Sequence, residues 1–328
     1  MCSKEHVAVR PVLRGRISLR NKKIAVTGGA GFIGSNIVRA LCDENDVTVI
    51  DNMSTGRREN LRGLEGRIRF VECDINDIKM LKREFESVDY VLHQAALPSV
   101  QRSIMDPMAT NRSNIDGTLS VLVAAMDCGV KRVVFASSSA VYGDSPELPK
   151  RESLIPRPMS PYAVTKLVGE HYCRVFYEIY GIECVSLRYF NVFGPGQDPA
   201  SEYAAVIPKF IDAVLSGSQP VVYGDGEQTR DFVYVDDVVR ANILACLSPG
   251  APGLAINIGT GYATSLNRLL DAIGRVLKRY IHPIYTEPRP GDVRDSVADI
   301  TLAREVLGYA PEYGLEDGLN EMLKCRPA

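Results

Sequence analysis

The sequence has little net charge, no long apolar run and no cluster of metal-binding residues, and each absence excludes a class of protein. Lysine and arginine number 38 against 40 aspartate and glutamate residues, so the formal net charge is only −2. Proteins that bind nucleic acid normally carry a strong basic excess, and we therefore expect no nucleic-acid partner. Because no stretch approaches the roughly 18 consecutive apolar residues that a membrane span requires, we expect no membrane association either.

The eight cysteines are scattered, with no C-x-x-C pair and no neighbouring histidine cluster. This spacing predicts neither a metal site nor a disulfide framework, so we expect reduced thiols in a cytoplasmic protein. Residues 1–22 contain six lysine or arginine residues but no apolar segment typical of a secretory signal. We predict an N-terminal arm that packs on the domain, with an organellar transit peptide as the alternative.

The chain does contain a regular alternation of strand-like and helix-like segments. Six short apolar runs predict buried strands, as expected for a parallel sheet covered on both faces: Ile24–Thr27, Val47–Asp51, Ile68–Cys73, Tyr90–His93, Val133–Ser137 and Cys184–Tyr189. Segments with helical spacing of apolar residues lie between these runs. This alternation predicts an α/β fold, a Rossmann-type doubly wound parallel sheet.

After residue 190 the alternation becomes less regular, and glycine and proline become frequent. Helical patterns recur at Val206–Leu215, Val238–Leu247 and Leu266–Leu277. We therefore predict a first domain over residues 1–190, which includes the arm, and a smaller C-terminal α/β substrate-binding lobe over 191–328. The boundary is soft, and the chain could cross between the two parts more than once.

A glycine-rich turn connects the first predicted strand to the first predicted helix. Gly28 permits the sharp turn, Gly31 lets the backbone approach a pyrophosphate, and Gly34 allows the helix to pack closely on the sheet. The helix N-terminus offers unpaired N–H groups and partial positive charge to phosphates. The turn therefore predicts a dinucleotide-binding site.

An aspartate at the end of the second strand indicates which dinucleotide binds. Asp51 can accept hydrogen bonds from both hydroxyls of an adenosine ribose and would repel a 2′-phosphate, which favours NAD over NADP. Arg57 and Arg58 follow closely and could weaken that preference. Asp74, at the end of the third strand, is placed to meet the adenine edge or is a surface residue.

A tyrosine and a lysine four residues apart predict a catalytic pair. Tyr162 and Lys166 share one face of a predicted helix, and a free phenol titrates near 10. We expect the lysine, together with a positive nicotinamide ring, to stabilise the phenolate. Lowering the phenol pKa by roughly three units requires about 4 kcal/mol.

Three serines follow the fifth predicted strand, at the edge where open α/β sheets bind ligands. A hydroxyl there can donate to a substrate oxygen and relay its proton to the phenolate. We choose Ser138 for this role and keep Ser139 as the alternative.

These motifs together resemble the extended short-chain dehydrogenase/reductase family. The shared motifs are T-G-G-A-G-F-I-G, Asp51-Asn52, His93-Gln94-Ala95-Ala96, the serines followed by Val141-Tyr142-Gly143, and Tyr162–Lys166. The segments R-Y-F-N-V-F-G-P from Arg188, Gly224-Asp225-Gly226 and Thr229–Phe232 narrow the resemblance to nucleotide-sugar epimerases and dehydratases. The match extends over nearly the whole chain.

The resemblance implies NAD as the cofactor and a UDP-sugar as the substrate, with no metal. The cofactor-binding residues that it implies are Gly28, Gly31, Phe32, Ile33, Gly34, Asp51, Asn52, Thr55, Gly56, Asp74, Ile75, Gln94, Ala95, Ala96, Tyr162, Lys166 and Tyr189. The substrate-binding residues that it implies are Ser99, Ser138, Ser139, Tyr162, Asn191, Ala205, Val206, Lys209, Val222, Tyr223, Arg230, Arg289, Asp292 and Ser296. Among these, Asn191, Arg230 and Arg289 resemble the groups that hold the diphosphate, for which the planar arginine fork is suited.

Two positions indicate the reaction and the sugar. Family dehydratases carry an Asp-Glu pair after the catalytic Ser or Thr, whereas this chain has Ser139-Ala140, so we expect a 4-epimerase. Ser296 aligns with a pocket-wall position that is associated in the family with N-acetyl selectivity. A small residue there predicts interconversion of UDP-GlcNAc and UDP-GalNAc, and UDP-Glc and UDP-Gal as further substrates, in polysaccharide biosynthesis.

Several alternatives remain open at this point. A UDP-glucose 4-epimerase restricted to non-acetylated sugars, or a UDP-glucuronate epimerase or decarboxylase, would share the scaffold. A catalytically silent NAD-binding regulator is a different class, and the intact Tyr162, Lys166 and Ser138 set disfavours it. The family usually forms homodimers through a four-helix bundle, which predicted helices at 110–126 and 161–180 could supply.

Overall fold

The computed structural model describes residues 18–197, 206–288 and 293–325. The strands of the described chain are β1 (Lys23–Thr27), β2 (Asp46–Asp51), β3 (Arg69–Glu72), β4 (Tyr90–His93), β5 (Arg132–Ser138), β6 (Glu183–Tyr189), β7 (Asn191–Phe193), β8 (Val221–Tyr223), β9 (Thr229–Arg230), β10 (Phe232–Tyr234), β11 (Ala255–Ile258), β12 (Thr264–Ser265) and β13 (Ile284–Thr286). The α-helices are α1 (Phe32–Leu41), α2 (Ile78–Phe85), α3 (Val100–Met105), α4 (Pro107–Asn111), α5 (Gly117–Asp127), α6 (Pro161–Tyr180), α7 (Val206–Leu215), α8 (Val235–Leu247), α9 (Leu266–Leu277) and α10 (Leu315–Lys324).

Seven parallel strands form the central sheet, in the order β11-β6-β5-β4-β1-β2-β3. The strand order reverses between β1 and β4, as in a doubly wound fold, and ligands bind such sheets at the carboxyl ends of the strands near this reversal. The six strands predicted from apolar runs are all present, each within one residue of its predicted ends. The predicted Rossmann-type α/β fold is confirmed.

Helices cover both faces of this sheet and bury its continuous apolar strands. One core cluster joins the sheet to α1 and α8, and a second joins it to α2, α5 and α6. A third cluster lies apart from the sheet, among α7, α9, α10 and the short strand β10. The part of the chain after residue 190 therefore has a small core of its own.

The chain returns to the central sheet late in the sequence. β11, which the sequence analysis did not predict, pairs with β6 from Ala255↔Ser186 to Ile258↔Tyr189, and α8 packs beneath it in the first core cluster. The chain thus crosses between the two parts more than once, as expected. The division into an NAD-binding domain over 1–190 and a sugar-binding lobe over 191–328 stays a prediction.

Helix α6 matches its predicted bounds, and local signals explain both ends. The side chain of Ser160 caps the first turn by accepting from the N–H of Ala163, Pro161 occupies the first helical position, and Gly181 ends the helix with a φ of +75°. The predicted helix at 110–126 is wrong in one respect. A π-turn at Arg112–Asp116 interrupts it between α4 and α5. Within the described ranges, no helix is both long enough and apolar enough to cross a membrane.

Candidate active site

The glycine turn after β1 has the backbone geometry that its sequence predicts. Gly28 has a φ of +68°, and a Cβ there would lie 2.6 Å from the backbone nitrogen of Ala95. A Cβ on Gly34 would overlap the carbonyl oxygen of Gly28. Only glycine fits at these two positions, so the turn leaves open backbone at the N-terminus of α1 that suits a pyrophosphate.

Asp51 ends β2 beside this turn, and its carboxylate organises the neighbouring loop. It accepts from the N–H of Ala30 at 3.0 Å and from the N–H of Met53 at 2.9 Å, while burial raises its pKa. A carboxylate has about four lone-pair sites, so two remain for ribose hydroxyls. Gly56 packs on this carboxylate, because a Cβ there would lie 2.7 Å from Asp51 Oδ1.

A cleft of about 420 Å³ extends from the glycine turn along the carboxyl ends of the strands. Sixteen of the seventeen predicted cofactor-binding residues line it, namely Gly28, Gly31, Phe32, Ile33, Gly34, Asp51, Asn52, Thr55, Asp74, Ile75, Gln94, Ala95, Ala96, Tyr162, Lys166 and Tyr189. Gly56 does not line the cleft but lies against the Asp51 carboxylate. The cradle left by the missing Cβ atoms fits a dinucleotide, and we call this space the cofactor cleft.

Several residues of the cofactor cleft were not predicted. Asn60 and Arg102 line its wall, and the Asn60 amide donates to the carbonyl of Ala30 at 2.9 Å. Neither residue belongs to a motif with a recognisable spacing, so the sequence carried no signal for them. At the adenine end, partial burial raises the pKa of Asp74, but hydrogen bonds from Asn76 and Asn52 outweigh it and lower the pKa below its ordinary value.

Tyr162 and Lys166 lie one turn apart on α6 and face the end of β5. The Lys166 ammonium donates to the carbonyl of Ala136 at 2.8 Å and lies 5.9 Å from the centre of the Tyr162 ring. Burial lowers the pKa of Lys166 to about 8, against a small opposing effect of Cys173. The lysine is therefore close enough to act on the phenol but is held by the backbone of β5.

In the protein alone, the pKa of Tyr162 is raised rather than lowered. Burial raises the pKa of Tyr162, and a hydrogen bond with Ser138 lowers it in part. The reason is that removing a phenolate from water costs more than the distant ammonium returns. The positive charge of a bound nicotinamide ring would lower the pKa further.

Ser138 rather than Ser139 contacts the tyrosine. The Ser138 hydroxyl hydrogen-bonds Tyr162 and accepts from the N–H of Ala140 at 3.2 Å, which caps the 3-10 turn Ser139–Tyr142. Neither Ser138 nor Ser139 lines either of the two clefts, whereas Ser137 lines the cofactor cleft. The Ser137 hydroxyl is bonded to Glu170, two turns further along α6, rather than to Tyr162.

A second cleft, of about 440 Å³, lies next to the first, and we call it the sugar-nucleotide groove. The two spaces meet on α7, where Pro208 lines one and Lys209 the other. Five predicted substrate-binding residues line the groove, namely Asn191, Val206, Lys209, Tyr223 and Arg230. Ser99 lines the cofactor cleft instead.

Besides Ser99, Tyr162, Ser138 and Ser139, two further predicted substrate residues do not line the groove. Val222 is fully buried, and its strand neighbours Val221 and Tyr223 line the groove in its place, because side chains alternate along β8. Ser296 is partly buried, and its N–H donates to the carbonyl of Thr229 at 3.2 Å. Ala205, Arg289 and Asp292 lie outside the described residues.

Ser296 lies in a segment that is bound to the groove strand β9. The Asp295 carboxylate accepts from the Thr229 hydroxyl at 2.6 Å, and the Arg230 guanidinium donates to the carbonyl of Arg294 at 3.0 Å. Buried Asp231 adds four hydrogen bonds, from the N–H and hydroxyl of Thr260 and from two further backbone N–H groups. The position of Ser296 is therefore coupled to that of Arg230.

The described residues do not form a candidate metal site. Over residues 18–197, 206–288 and 293–325, no group of three or more His, Cys, Asp or Glu side chains could hold a metal ion.

Comparison with known proteins identifies the family. The sequence model of the NAD dependent epimerase/dehydratase family matches residues 24–259. A UDP-N-acetylglucosamine 4-epimerase from Methanobrevibacter ruminantium M1, solved in complex with UDP-N-acetylmuramic acid, is 45% identical with a TM-score of 0.90, over 94% of this chain and 98% of that one. A UDP-glucose 4-epimerase from Thermotoga maritima, solved with UDP-glucose, is 40% identical with a TM-score of 0.88, over 92% and 98% of the two chains. The UDP-glucose 4-epimerase of Mycolicibacterium smegmatis is 41% identical over 300 residues, which are 90% of this chain and 95% of its own.

These similarities cover 90% or more of this chain, and the range that the family model matches contains the glycine turn and the Tyr162–Lys166 pair. They confirm the predicted family, NAD as the cofactor and an NAD-dependent 4-epimerase as the class of enzyme. The chain belongs to the NAD dependent epimerase/dehydratase family.

Proposed function

We propose that the protein interconverts UDP-GlcNAc and UDP-GalNAc by epimerisation at carbon 4 of the sugar, and that it also accepts UDP-Glc and UDP-Gal. One observation carries the proposal. Tyr162 lines the cofactor cleft beside Lys166 and hydrogen-bonds Ser138, and the sugar-nucleotide groove with Asn191 and Arg230 adjoins that cleft. A sugar anchored by its diphosphate in the groove would extend toward the phenol.

Tyr162 acts as the general base in this proposal. Bound NAD, held by the glycine turn, Asp51 and the other residues of the cofactor cleft, supplies reversible acceptance of a hydride from carbon 4. The Tyr162 phenolate takes the proton of the 4-hydroxyl and returns it when the opposite face of the sugar is reduced. The single hydroxyl proton of Ser138 is donated to the phenolate oxygen before proton transfer and to the substrate oxygen once Tyr162 is protonated and donates to Ser138. The proton thus moves between two oxygens of fixed position, and the two directions of the reaction use the same groups.

The groove supplies binding rather than chemistry. Arg230 is suited to a diphosphate because its planar guanidinium can contact two oxygens at once, and its side chain is already oriented by the carbonyls of Thr229 and Arg294. Asn191 and Lys209 line the same wall. The apolar part of the groove, with Phe210 and Phe232, suits the flat face of a uracil ring.

The choice of the N-acetylated pair rests on Ser296. Ser296 does not itself line the groove, but its N–H is bonded to Thr229 of β9. By resemblance to the family's selectivity position, a small side chain there leaves room for a 2-acetamido group beside β9, and a bulky one would press into that room. The Methanobrevibacter enzyme described above carries this specificity in its name. The Mycolicibacterium relative is named for UDP-glucose, so an enzyme restricted to non-acetylated sugars is the second candidate.

The test is an assay of the purified protein, without added NAD, on UDP-GlcNAc, UDP-GalNAc, UDP-Glc, UDP-Gal and UDP-glucuronate. We expect interconversion of the first two at the highest kcat/KM. In Ser296→Tyr, activity on the acetylated pair should fall by roughly 10- to 200-fold, the range for pocket-size discrimination, and activity on UDP-Glc should change little.

Ser218→Tyr is the matched control, because Ser218 is exposed and does not line the groove. It should leave all activities unchanged. Equal losses on both sugar pairs in Ser296→Tyr would contradict the volume argument, and preference for UDP-glucuronate would contradict the proposed substrate.

We further propose a homodimer, a cytoplasmic location and a role in polysaccharide biosynthesis. The dimer is supported by apolar side chains exposed on α6, namely Val164, Val175 and Ile179 at 43%, 37% and 69%. The location is supported by the free state of the described cysteines. Sedimentation of the purified enzyme and of Ile179→Glu would test the dimer, and the variant should sediment as a monomer.

A further inference from the structure

A buried ion pair lies behind the candidate active site, and no step proposed above uses it. Glu170 on α6 and Arg188 on β6 each have side chains only 6% exposed. Arg188 donates twice to the Glu170 carboxylate, from Nε to Oε1 at 2.9 Å and from the second terminal nitrogen to Oε2 at 2.7 Å. The guanidinium and the carboxylate therefore form a bidentate pair with little access to water.

This pair continues into neighbouring segments through buried hydroxyls. The Ser137 hydroxyl donates to Glu170 Oε1 at 2.5 Å, and Arg188 donates to the Tyr142 hydroxyl at 2.8 Å. Tyr142 in turn donates to the side-chain oxygen of Asn257 at 2.7 Å. One connected network thus joins α6, β5, β6, the 3-10 turn after β5, and β11.

The network includes the same helix face and the same strand end as the catalytic pair. Tyr162, Lys166 and Glu170 are spaced four residues apart on α6 and lie on one face. All three contact consecutive residues of β5, since Tyr162 bonds Ser138, Lys166 bonds the carbonyl of Ala136 and Glu170 bonds Ser137. Of these three residues of α6, only Glu170 is also bonded to a second strand, through Arg188 on β6.

We propose that the Glu170–Arg188 pair is a positioning device, which fixes α6 against the end of β5 and cancels the charge behind Tyr162. This inference rests on the proposed function, because it takes Tyr162 as the base. Removal of either charge would leave the other one buried, close to the catalytic pair and without its bidentate counter-charge; Arg188 would keep the Tyr142 hydroxyl, and Glu170 would keep the Ser137 hydroxyl.

The distances make such an electrostatic effect measurable. Glu170 lies about 12 Å from Tyr162 and about 6 Å from Lys166 along the axis of α6, at 1.5 Å per residue. One unpaired charge at about 12 Å shifts a pKa by roughly one unit at an effective dielectric constant near 20. Burial alone would lower the pKa of Arg188, but the hydrogen bonds and charge of Glu170 outweigh it and raise that pKa, so Arg188 stays charged.

Other titratable or charged groups also face this end of α6, and they stay in every variant compared. In the described chain, Tyr142 and Glu152 interact with Arg188, and Cys173 and His93 interact with Lys166. Burial lowers the pKa of His93 to about 3, so that residue is neutral over the working range. Because these groups are present in every variant, their contributions to the pKa of Tyr162 do not alter the differences between variants.

The decisive variant is Glu170→Gln, which leaves the Arg188 cation unpaired. The unpaired cation favours the phenolate and so lowers the pKa of Tyr162. The acid limb of the pH profile of kcat/KM should therefore shift to lower pH by about one unit. Loss of positioning should lower kcat by roughly 10-fold, and KM should change less than threefold. In the double variant Glu170→Gln/Arg188→Gln, the acid limb should lie at the same pH as in the wild type. In Glu170→Asp, which keeps the negative charge, the acid limb should also be unshifted.

A second ion pair on the same two strands provides a matched control. Arg132 on β5 pairs with Glu183 on β6 at 2.7 Å, at the opposite ends of the strands. With a rise of 3.3 Å per residue, that pair lies roughly 20 Å from Ser138. Glu183→Gln should not move the limb. A limb shift in Glu170→Gln no larger than in Glu183→Gln would overturn the proposal.

The test also holds if Glu170→Gln fails to fold. Ser137→Ala removes one hydrogen bond to Glu170 without changing any charge. It should lower kcat several-fold and leave the acid limb at the same pH; an unchanged kcat would overturn the positioning role.

Tyr162→Phe distinguishes the two proposals. Full turnover by Tyr162→Phe would refute the proposed base, whereas an inactive Tyr162→Phe with no limb shift in Glu170→Gln would refute only this inference.

Discussion

The cofactor cleft and the sugar-nucleotide groove lie side by side but are constructed differently. The cleft forms at the ends of long parallel strands, and its shape depends on backbone geometry at glycines such as Gly28 and Gly34. The groove forms between α7 and pairs of two- or three-residue strands, β7 with β10, β8 with β13 and β9 with β12. Backbone changes should therefore be most damaging in the cleft, and side-chain changes should have graded effects in the groove.

The largest difference should come from Tyr162→Phe. Loss of the phenol hydroxyl removes the proposed base, so turnover should fall by roughly 10²- to 10⁴-fold, the range for general base catalysis. UDP-sugar affinity should hardly change, because the groove is intact. Steady-state kinetics and calorimetric titration with UDP would measure the two quantities. A loss of affinity as large as the loss of turnover would contradict the separation of chemistry from binding.

The next largest effect should come from Gly28→Ala. The methyl group would meet the backbone of Ala95 at 2.6 Å, and the residue keeps a φ of +68°, so we expect a loss of about 3 kcal/mol or more in unfolding free energy, or loss of bound NAD. Gly217→Ala is the control in the other half of the chain, with a φ of +77° and nothing within 4 Å of the added carbon. It should cost only about 1 to 2 kcal/mol, from the backbone angle alone. Equal costs would mean that close packing at the cleft is unimportant.

His93, beneath the cleft, should make stability depend on pH. The Thr118 hydroxyl donates to the carbonyl of Asn114 at 2.6 Å and so accepts from His93 Nε2 at 2.9 Å, which leaves Nδ1 to accept from Thr27 at 2.7 Å. Burial lowers the pKa of this neutral ring to about 3, below the unfolded value of about 6.5. Its contribution is therefore fully present above pH 6.5 and is lost as the pH falls toward 3.

Urea unfolding at pH 7 and pH 4.5 would measure this contribution. In His93→Gln the loss of stability between the two pH values should be smaller than in the wild type by about 2 kcal/mol, from 1.36 kcal/mol per unit. His282→Gln is the control, because His282 is exposed. An identical pH dependence in His93→Gln and the wild type would contradict the assignment.

The smallest effect should arise in the groove, from Arg230→Gln. This variant loses the charge proposed to hold the diphosphate, so KM for the UDP-sugar should rise roughly 10-fold at nearly constant kcat, as expected for the loss of a charge-assisted hydrogen bond. Arg294→Gln is the neighbouring control, since Arg294 is exposed and pairs with Asp225 at 3.0 Å. A fall in kcat at constant KM in Arg230→Gln would contradict this prediction and would assign Arg230 a role in the chemical step rather than in substrate binding.

The same contrast explains what the sequence could predict. Cofactor-cleft residues follow strand ends and glycine spacings, which are local signals, and all but Gly56 line the cleft. In the groove, Val222 and Ser296 were placed by resemblance, and neither lines it, because short strands with few local signals set which side chains face inward. β11 went unpredicted since Ala255–Ile258 is a four-residue run without flanking alternation.

Contacts between distant parts of the chain were also beyond the sequence. Glu170 and Arg188 are separated by the end of α6 and the start of β6, and nothing in their local spacing indicates a bidentate pair. The raised pKa of Tyr162 had the same origin, because burial depends on the whole assembled sheet. Tertiary desolvation, unlike helix or strand periodicity, has no short-range pattern.

The position of β11 late in the sequence, but within the central sheet, has a practical consequence for protein engineering. β6 is paired with β11 along Ser186–Tyr189, so a fragment truncated after residue 190 would end in an open edge strand, a known template for aggregation. It would also lack α8, and with it the cover over part of one sheet face. A chimera that exchanges sugar specificity between relatives should therefore retain Val235–Ile258 from the parent that donates the dinucleotide half, and should splice on either side of it.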